Sequence, residues 1–268
     1  MKDTQMARQP DLDRDPLLVR SVGKAFALLS AFDARNPSLS LTQLAIAAGL
    51  DRSATQRFAH TLEALGYLRK DARSKRFTLN VRVMDLTARF LGTDPLVAVA
   101  RPYLLHLSQT THETVNLSMR DGTDTVFVNR LLGQHVLNVD VPIGTRMPLY
   151  CTSFGIAILS TLPTEEARSV LLQSDRKRLT EATVWEMEPL MEKITLSAAR
   201  GYATTAEEIY HGDVAVAAPI VNGRGRPLGA VNVASLRSRI ALDEMERRYA
   251  TLVMETARSI SNACAALG

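Results

Sequence analysis

Gly49-Leu50-Asp51-Arg52-Ser53-Ala54-Thr55-Gln56-Arg57-Phe58-Ala59-His60-Thr61-Leu62-Glu63-Ala64-Leu65, residues 49–65, is the stretch on which the reading of this chain turns. Gly49-Leu50 ends whatever precedes it, and Asp51 or Ser53 can cap a new helix running to about Leu65. In that helix Ala54, Phe58, Leu62 and Leu65 form an apolar stripe, while Ser53, Gln56, Arg57 and His60 fall together on the opposite face. The polar set suits a major groove. Arginine can grip guanine O6 and N7 with two bonds, and glutamine can pair with adenine. Arg52 and Ser53, at the helix start, are placed for phosphates, where the helix dipole adds its pull.

Working outward, Val22, Ala25, Phe26, Leu28 and Leu29 recur at helical spacing and stop before the turn signal Asn36-Pro37. A short second helix spans Leu41 to Ala48. On the other side, Tyr67-Leu68-Arg69 and Arg76-Phe77-Thr78-Leu79 flank the polar tip Asp71-Ala72-Arg73-Ser74-Lys75, which reads as a β-hairpin. Three helices and a hairpin make a winged helix. Its basic wing (Arg69, Lys70, Arg73, Lys75, Arg76) is expected to lie along the flanking DNA backbone or minor groove. A bare solvated helix in a protein-binding module is the competing reading; the local excess of positive charge and the hairpin favour DNA.

Charge is divided unevenly. Residues 1–92 hold 15 Lys+Arg against 9 Asp+Glu, whereas 93–268 hold 17 against 19. A basic module beside a near-neutral one fits separate polyanion-binding and ligand-binding tasks. With 268 residues there is room for two cores. The sequence has no run of eighteen apolar residues, so a membrane-spanning helix is not expected, and the polar stretch Met1–Asp15 does not read as a signal peptide. Two distant cysteines, Cys151 and Cys264, fit a reducing cytoplasm and no zinc or disulfide framework.

Beyond a linker helix over Val81–Leu91, Asp94 can cap and Pro95 can open a further helix. Strands are then expected near Val115–Val128, Val136–Val141, Tyr202–Thr205, Val214–Val221 and Leu228–Ala234. Helices are expected at Phe154–Thr161, Glu165–Gln173, Trp185–Ala199 and Leu242–Ala266. The predicted class is α+β, an N-terminal winged helix-turn-helix followed by a sheet with helices outside. The expected organisation is a mobile tail over 1–18, the winged helix over 19–80, a linker helix over 81–94 and a second domain over 95–268.

Residues 21–79 resemble the DNA-binding domain of the IclR (isocitrate lyase regulator) family of bacterial regulators. The carriers are Ser21-Val22-Gly23-Lys24-Ala25, Leu41-Thr42-Gln43-Leu44-Ala45, residues 49–57 and Leu62-Glu63-Ala64-Leu65-Gly66-Tyr67-Leu68. Where the family usually has Ser-Thr, this chain has Ser53-Ala54, and one hydroxyl is lost. The likeness continues through Val141-Pro142-Ile143-Gly144-Thr145-Arg146-Met147-Pro148-Leu149, Cys151 to Ala157, Arg200-Gly201-Tyr202, Glu207-Glu208 and Gly212 to Pro219. Ile156 stands where a basic residue is commoner, at a position read as surface. The resemblance implies a GAF-like effector domain, a dimer or tetramer, cytoplasmic operation, and control of a catabolic operon by a small organic acid, aromatic acids included. It extends the DNA-contacting set to Thr42 and Thr55. It also implies an effector site from Asn116, Val139, Met147, Ser153, Phe154, Glu208, Ala215, Asn232 and Ala234. There Asn232 offers donor and acceptor, Phe154 and Met147 supply apolar walls, and the amides opening the 153–161 helix favour a carboxylate.

Other signals point away from chemistry. Cys151 lacks a His or Asp at diagnostic spacing. The five histidines, at 60, 106, 112, 135 and 211, have no zinc-ligand pattern. Gly223 to Gly229 lies between strands, so it reads as a hairpin turn rather than a phosphate loop. Arg146 reads as an ion-pair anchor. No catalytic residue, metal or cofactor is expected. The alternative is an enzyme or metabolite carrier with a dormant winged helix, which would turn over or hold ligand without salt-dependent DNA binding.

Overall fold

The structure, a computed structural model, describes residues 16–134 and 141–266. They form two compact units that part between Gly92 and Thr93. The expected tail up to residue 15 and most of the expected strand 136–141 lie outside the described residues.

In the first unit, α1 (Arg20–Leu29), α2 (Leu41–Ala48) and α3 (Arg52–Ala64) precede a hairpin of β1 (Leu68–Lys70) and β2 (Phe77–Leu79). Local chemistry sets these limits. Ser40 and Gln43 form a reciprocal capping box at the start of α2, and Gly49, at φ 64°, ends it in the left-handed conformation. Asp51 caps α3 by accepting the Ala54 amide at 2.8 Å. The core unites Leu28, Leu39, Leu44, Ala59, Leu62, Leu68 and Phe77. Leu39 and Phe77 exchange both backbone bonds, at 2.9 and 2.8 Å, and so tie the loop before α2 to the wing.

Two expectations are corrected here. The buried stripe of α3 is Thr55, Ala59 and Leu62, which keeps the expected Leu62 and replaces Ala54 and Phe58 by the residues one position on. Ala54 and Phe58 are only half-buried, and Leu65 is 51% exposed. Thr55 enters the core because its hydroxyl donates to the Asp51 carbonyl at 2.8 Å, which removes the cost of burying it. In α1 only Leu28 is buried, while Val22 and Phe26 face outward. After a 3-10 turn at Val81–Val83, helix α4 (Met84–Thr93) likewise exposes Met84, Leu86 and Phe90.

The second unit opens with α5 (Pro95–Thr111), capped by Asp94 and with Pro95 at its first turn, as the sequence suggests. Strands β3 (Thr114–Asp121), β4 (Asp124–Leu131) and β5 (Arg146–Pro148) follow. Next come α6 (Ser153–Leu159), α7 (Thr164–Gln173) and α8 (Met187–Arg200). Strands β6 (Ala203–Ala206), β7 (Asp213–Val221) and β8 (Pro227–Leu236) and the long α9 (Leu242–Ala265) complete it. The described strands of this unit form one antiparallel sheet in the order β5-β4-β3-β8-β7-β6. Residues 222–226 turn β7 into β8, so the glycine-rich stretch is the expected hairpin turn.

Strand alternation assigns the two faces. Val214, Val216, Val231 and Val233 face α5 and α9, which pack on the sheet and on each other. Asn116, Ala215, Ala217 and Asn232 face the side covered by α6. Helix α6 sits very close to the chain before it: a Cβ on Gly155 would lie 2.0 Å from the Leu149 carbonyl oxygen. Ile156, expected at the surface, is fully buried in this layer. No described helix is long and apolar enough to cross a membrane.

Candidate functional site

Each unit carries one candidate site. On α3, the side chains of Ser53, Gln56, Arg57 and His60 are all exposed, with Arg52 beside them at the first turn and Thr42 exposed at the start of α2. Among the described residues none of these side chains, Thr42 included, is engaged in a hydrogen bond or ion pair, so their donors and acceptors face solvent. Thr55, predicted with this group, does not belong to it. It is fully buried, and its hydroxyl is already committed to the Asp51 carbonyl.

In the wing, Arg69, Arg73 and Lys75 are exposed. Arg76 is held instead by Ser38, donating from Nε to the hydroxyl at 3.1 Å and from a terminal nitrogen to the carbonyl. Lys70 lies over the Phe77 ring at 5.2 Å. At the tip Asp71 accepts from the Ser74 amide and hydroxyl, both at 2.7 Å, and from the Arg73 amide at 3.2 Å. Those donors, Ser74 above all, hold its carboxyl below the usual range. An acidic residue thus shapes the turn that presents the cations.

The second site is an open-mouthed cavity of about 690 Å³, mouth included, between the sheet and α6. Seven predicted effector residues line it: Asn116, Met147, Ser153, Phe154, Ala215, Asn232 and Ala234. Strands β3 and β8 place Asn116 and Asn232 directly opposite each other. Phe127 and Phe154 meet edge to face at 5.3 Å and form an apolar wall. The α6 start is less open to an anion than expected, because the Thr152 hydroxyl already accepts the Gly155 amide at 3.1 Å.

Two further predicted residues remain, Val139 and Glu208. Val139 lies outside the described residues. Glu208 is buried but does not line the cavity, because Lys193 from α8 holds its carboxylate in an ion pair. Burial raises the Glu208 carboxyl and Lys193 opposes that rise. Arg146 is the anchor it was read to be, binding Asp121 at 2.8 Å and Asp124 at 3.1 Å.

Sequence reasoning missed Arg130, Asp213, Tyr210 and the Glu113–Arg239 pair, all of which line the cavity. Arg239 grips Glu113 with bonds of 2.8 and 3.3 Å. Burial pushes the Asp213 carboxyl up to about 6, against the pull of Arg130. Asp213 had a signal, standing within the motif Gly212 to Pro219. Arg130 had none, being one cation at the end of a strand. Cys151 also borders the cavity, and burial pushes its thiol up to about 12. A thiol so fully protonated at neutral pH is a poor nucleophile. Among the described residues no cluster of His, Cys, Asp and Glu could hold a metal.

The family model for the C-terminal region of bacterial transcriptional regulators of the IclR type matches residues 88–262, and the IclR helix-turn-helix model matches 21–72. The Pca regulon regulatory protein of Pseudomonas putida is 30% identical over 247 residues, spanning 92% of this chain and 84% of that protein. The regulator KdgR of Dickeya chrysanthemi is 28% identical over 94% of this chain and 82% of its own. Among solved structures, protein RHA06195 of Rhodococcus sp. RHA1 superimposes with a TM-score of 0.82 at 33% identity, covering 94% of this chain and all of that one. An IclR homolog from Microbacterium hydrocarbonoxydans, complexed with 4-hydroxybenzoate, shares the fold with a TM-score of 0.76 at 20% identity, over 92% and 99% of the two chains.

Proposed function

The chain belongs to the IclR family of bacterial transcriptional regulators, and on that premise we propose that it senses a small carboxylic acid, aromatic acids included, to control a catabolic operon. It is a helix-turn-helix DNA-binding protein with an effector-binding C-terminal domain. The finer reading gives base contacts to Gln56, Arg57 and His60 on α3, and phosphate contacts to Thr42, Arg52, Ser53, Arg69, Arg73 and Lys75. The effector occupies the cavity between Asn116, Asn232, Ser153 and Phe154. The protein acts in the cytoplasm as a regulator without turnover, and as a homodimer or homotetramer whose DNA-binding heads meet through α1 and the linker helix. Apolar side chains turned outward on both, Val22 and Phe26 on one and Met84 and Leu86 on the other, support that pairing.

One observation carries the sensor reading: buried amides and a hydroxyl line a cavity that also has an aromatic wall. The Microbacterium homolog holds 4-hydroxybenzoate, which makes aromatic acids the first set to try. Effector binding shifts DNA affinity through a coupling of about 1–3 kcal/mol, and DNA must alter effector affinity by the same factor.

The test is mobility shift on DNA upstream of the protein's own gene and its neighbours, with a salt titration and a panel of organic acids. Specific binding that one acid alters is the expected result. Arg57→Ala is expected to weaken operator binding about 10- to 100-fold with an unchanged thermal melt, as the loss of one bidentate base contact requires. An unaltered footprint from that variant removes Arg57 from the reading set. Turnover of an added acid, with no DNA binding at low salt, overturns the regulator reading of this chain.

A further inference from the structure

A line of hydrogen bonds crosses the cavity side of the sheet. Arg130 of β4 donates to the Asn116 Oδ1 of β3 at 3.1 Å. Asn116 Nδ2 donates to the Asn232 Oδ1 of β8 at 2.8 Å. Asn232 Nδ2 in turn reaches the Ser153 hydroxyl at 3.5 Å, at the outer limit for a bond. The register makes the line possible, since Arg130 and Asn116 are cross-strand partners, as are Asn116 and Asn232. Asn116 is 1% exposed, Ser153 2% and Asn232 3%.

Two buried amides facing each other could run in either direction, because a carboxamide carries a donor at one end and an acceptor at the other. A guanidinium removes that choice. It has donors and no acceptor, so the Asn116 atom that meets it must be the oxygen. The Asn116 nitrogen therefore faces Asn232, which must answer with its oxygen, and the Asn232 nitrogen is left pointing toward Ser153. The Ser153 oxygen then faces an N–H, and its own proton turns outward. The cavity end of the line thus offers an amide N–H and a hydroxyl O–H, both donors. The weak last link keeps them within reach of a third group.

We infer that Arg130 is a specificity-determining residue: it fixes the direction of the Asn116–Asn232 pair so that the Ser153 end of the cavity presents donors and selects a ligand carrying an anionic acceptor. Arg130 acts through the amides as a positioning residue. The inference rests on the proposed effector role of the cavity, and it names the group in that effector that is recognised there.

The experiment uses the full chain and matched pairs of probes, benzoate against benzamide and 4-hydroxybenzoate against 4-hydroxybenzamide, titrated by calorimetry. The wild type is expected to favour the acid by about tenfold or more, the factor one charge-assisted hydrogen bond supplies. Arg130→Lys keeps a donor-only group and is expected to retain the preference. Arg130→Gln can present either end, lets the amide pair reverse, and is expected to bring the ratio to within about threefold of one. Side-chain amide NMR of the ligand-free protein supplies a readout that needs no ligand. Arg130→Gln moves the Asn232 amide resonances as well as those of Asn116, and Arg130→Lys leaves Asn232 nearly in place. Equal acid preference in the Gln variant, or Asn232 resonances that stay put, overturns the inference. If no probe of either kind binds the wild type, the aromatic-acid reading of the cavity fails, and the Asn232 resonances alone decide the role of Arg130.

Discussion

The α3 face and the cavity solve opposite problems. In the first unit the side chains proposed to touch DNA stand outside the core, exposed, while Leu28, Leu44, Ala59 and Leu62 hold the helices together. In the second unit the residues around the cavity are also the residues of the core. Phe127, Phe154 and Cys151 belong to both, and the amides Asn116 and Asn232 are almost completely buried. Recognition of a large polyanion needs projecting donors and charge, which add little to stability and cost little when removed. Enclosing a small molecule needs a shell, and a shell cannot be altered without altering the packing. The first unit keeps function and stability on different residues; the second places them on the same ones.

The largest expected effect tests that second statement. Gly155→Ala puts a methyl where the Leu149 backbone already is, and no flexible side chain can yield. A loss of about 3 kcal/mol or more in unfolding free energy is expected, with effector response lost in parallel. A variant that melts like the wild type would show that the packing above the cavity is loose, and the contrast between the units would go with it.

Asp213 gives an intermediate effect and a sign. Burial pushes its carboxyl up to about 6, above the usual aspartate value of 3.8, so the acid form is favoured by folding. The stability it supports is complete below about pH 4 and is lost as pH rises through about 6. Asp213→Asn should therefore gain stability over the wild type at pH 7.5, on the order of 2 kcal/mol, and show no gain at pH 4. Urea titrations at the two pH values read this directly. An equal gain at both would mean that the carboxyl is not destabilised by its burial.

The smallest effect belongs to the wing. Lys75→Ala should leave the melting temperature unchanged. It should weaken binding to all DNA sequences alike, by a few-fold, and reduce the slope of log affinity against log salt by about one. A shifted melt would mean that the wing is part of the first unit's stability, and the separation of roles there would fail.

Legibility in the sequence follows the same division. Helix α2 was readable to the residue because its limits are local: Ser40 and Gln43 cap each other and Gly49 takes a positive φ. The exposed face of α3 was readable because exposed polar residues advertise themselves. Its inner face is legible at Leu62 and displaced by one residue in the first two turns, since Thr55 counts as polar in a sequence and becomes core once its hydroxyl has bonded the chain behind it. In the second unit the elements could be placed, yet β5 could not, being three residues without alternation. Asn116 and Asn232 lie 116 positions apart, and only strand pairing makes them neighbours. Arg130 joins them by register alone. The resemblance to a family supplied seven of the cavity residues, a minority of its lining, and Glu208, taken from the same source, is held elsewhere by Lys193.

The strand order β5-β4-β3-β8-β7-β6 also bears on how the chain comes into being. Its middle pair joins Thr114 to Ala234, so the sheet cannot close until almost the whole polypeptide has left the ribosome. Among the described residues, the longest backbone link of the first unit reaches only from Leu39 to Phe77. Short-range contacts form fast and long-range pairings form slowly. During synthesis, therefore, the part that grips DNA is shaped well before the part that listens. A newborn chain passes through an interval in which its helix-turn-helix head can be complete while its cavity is not.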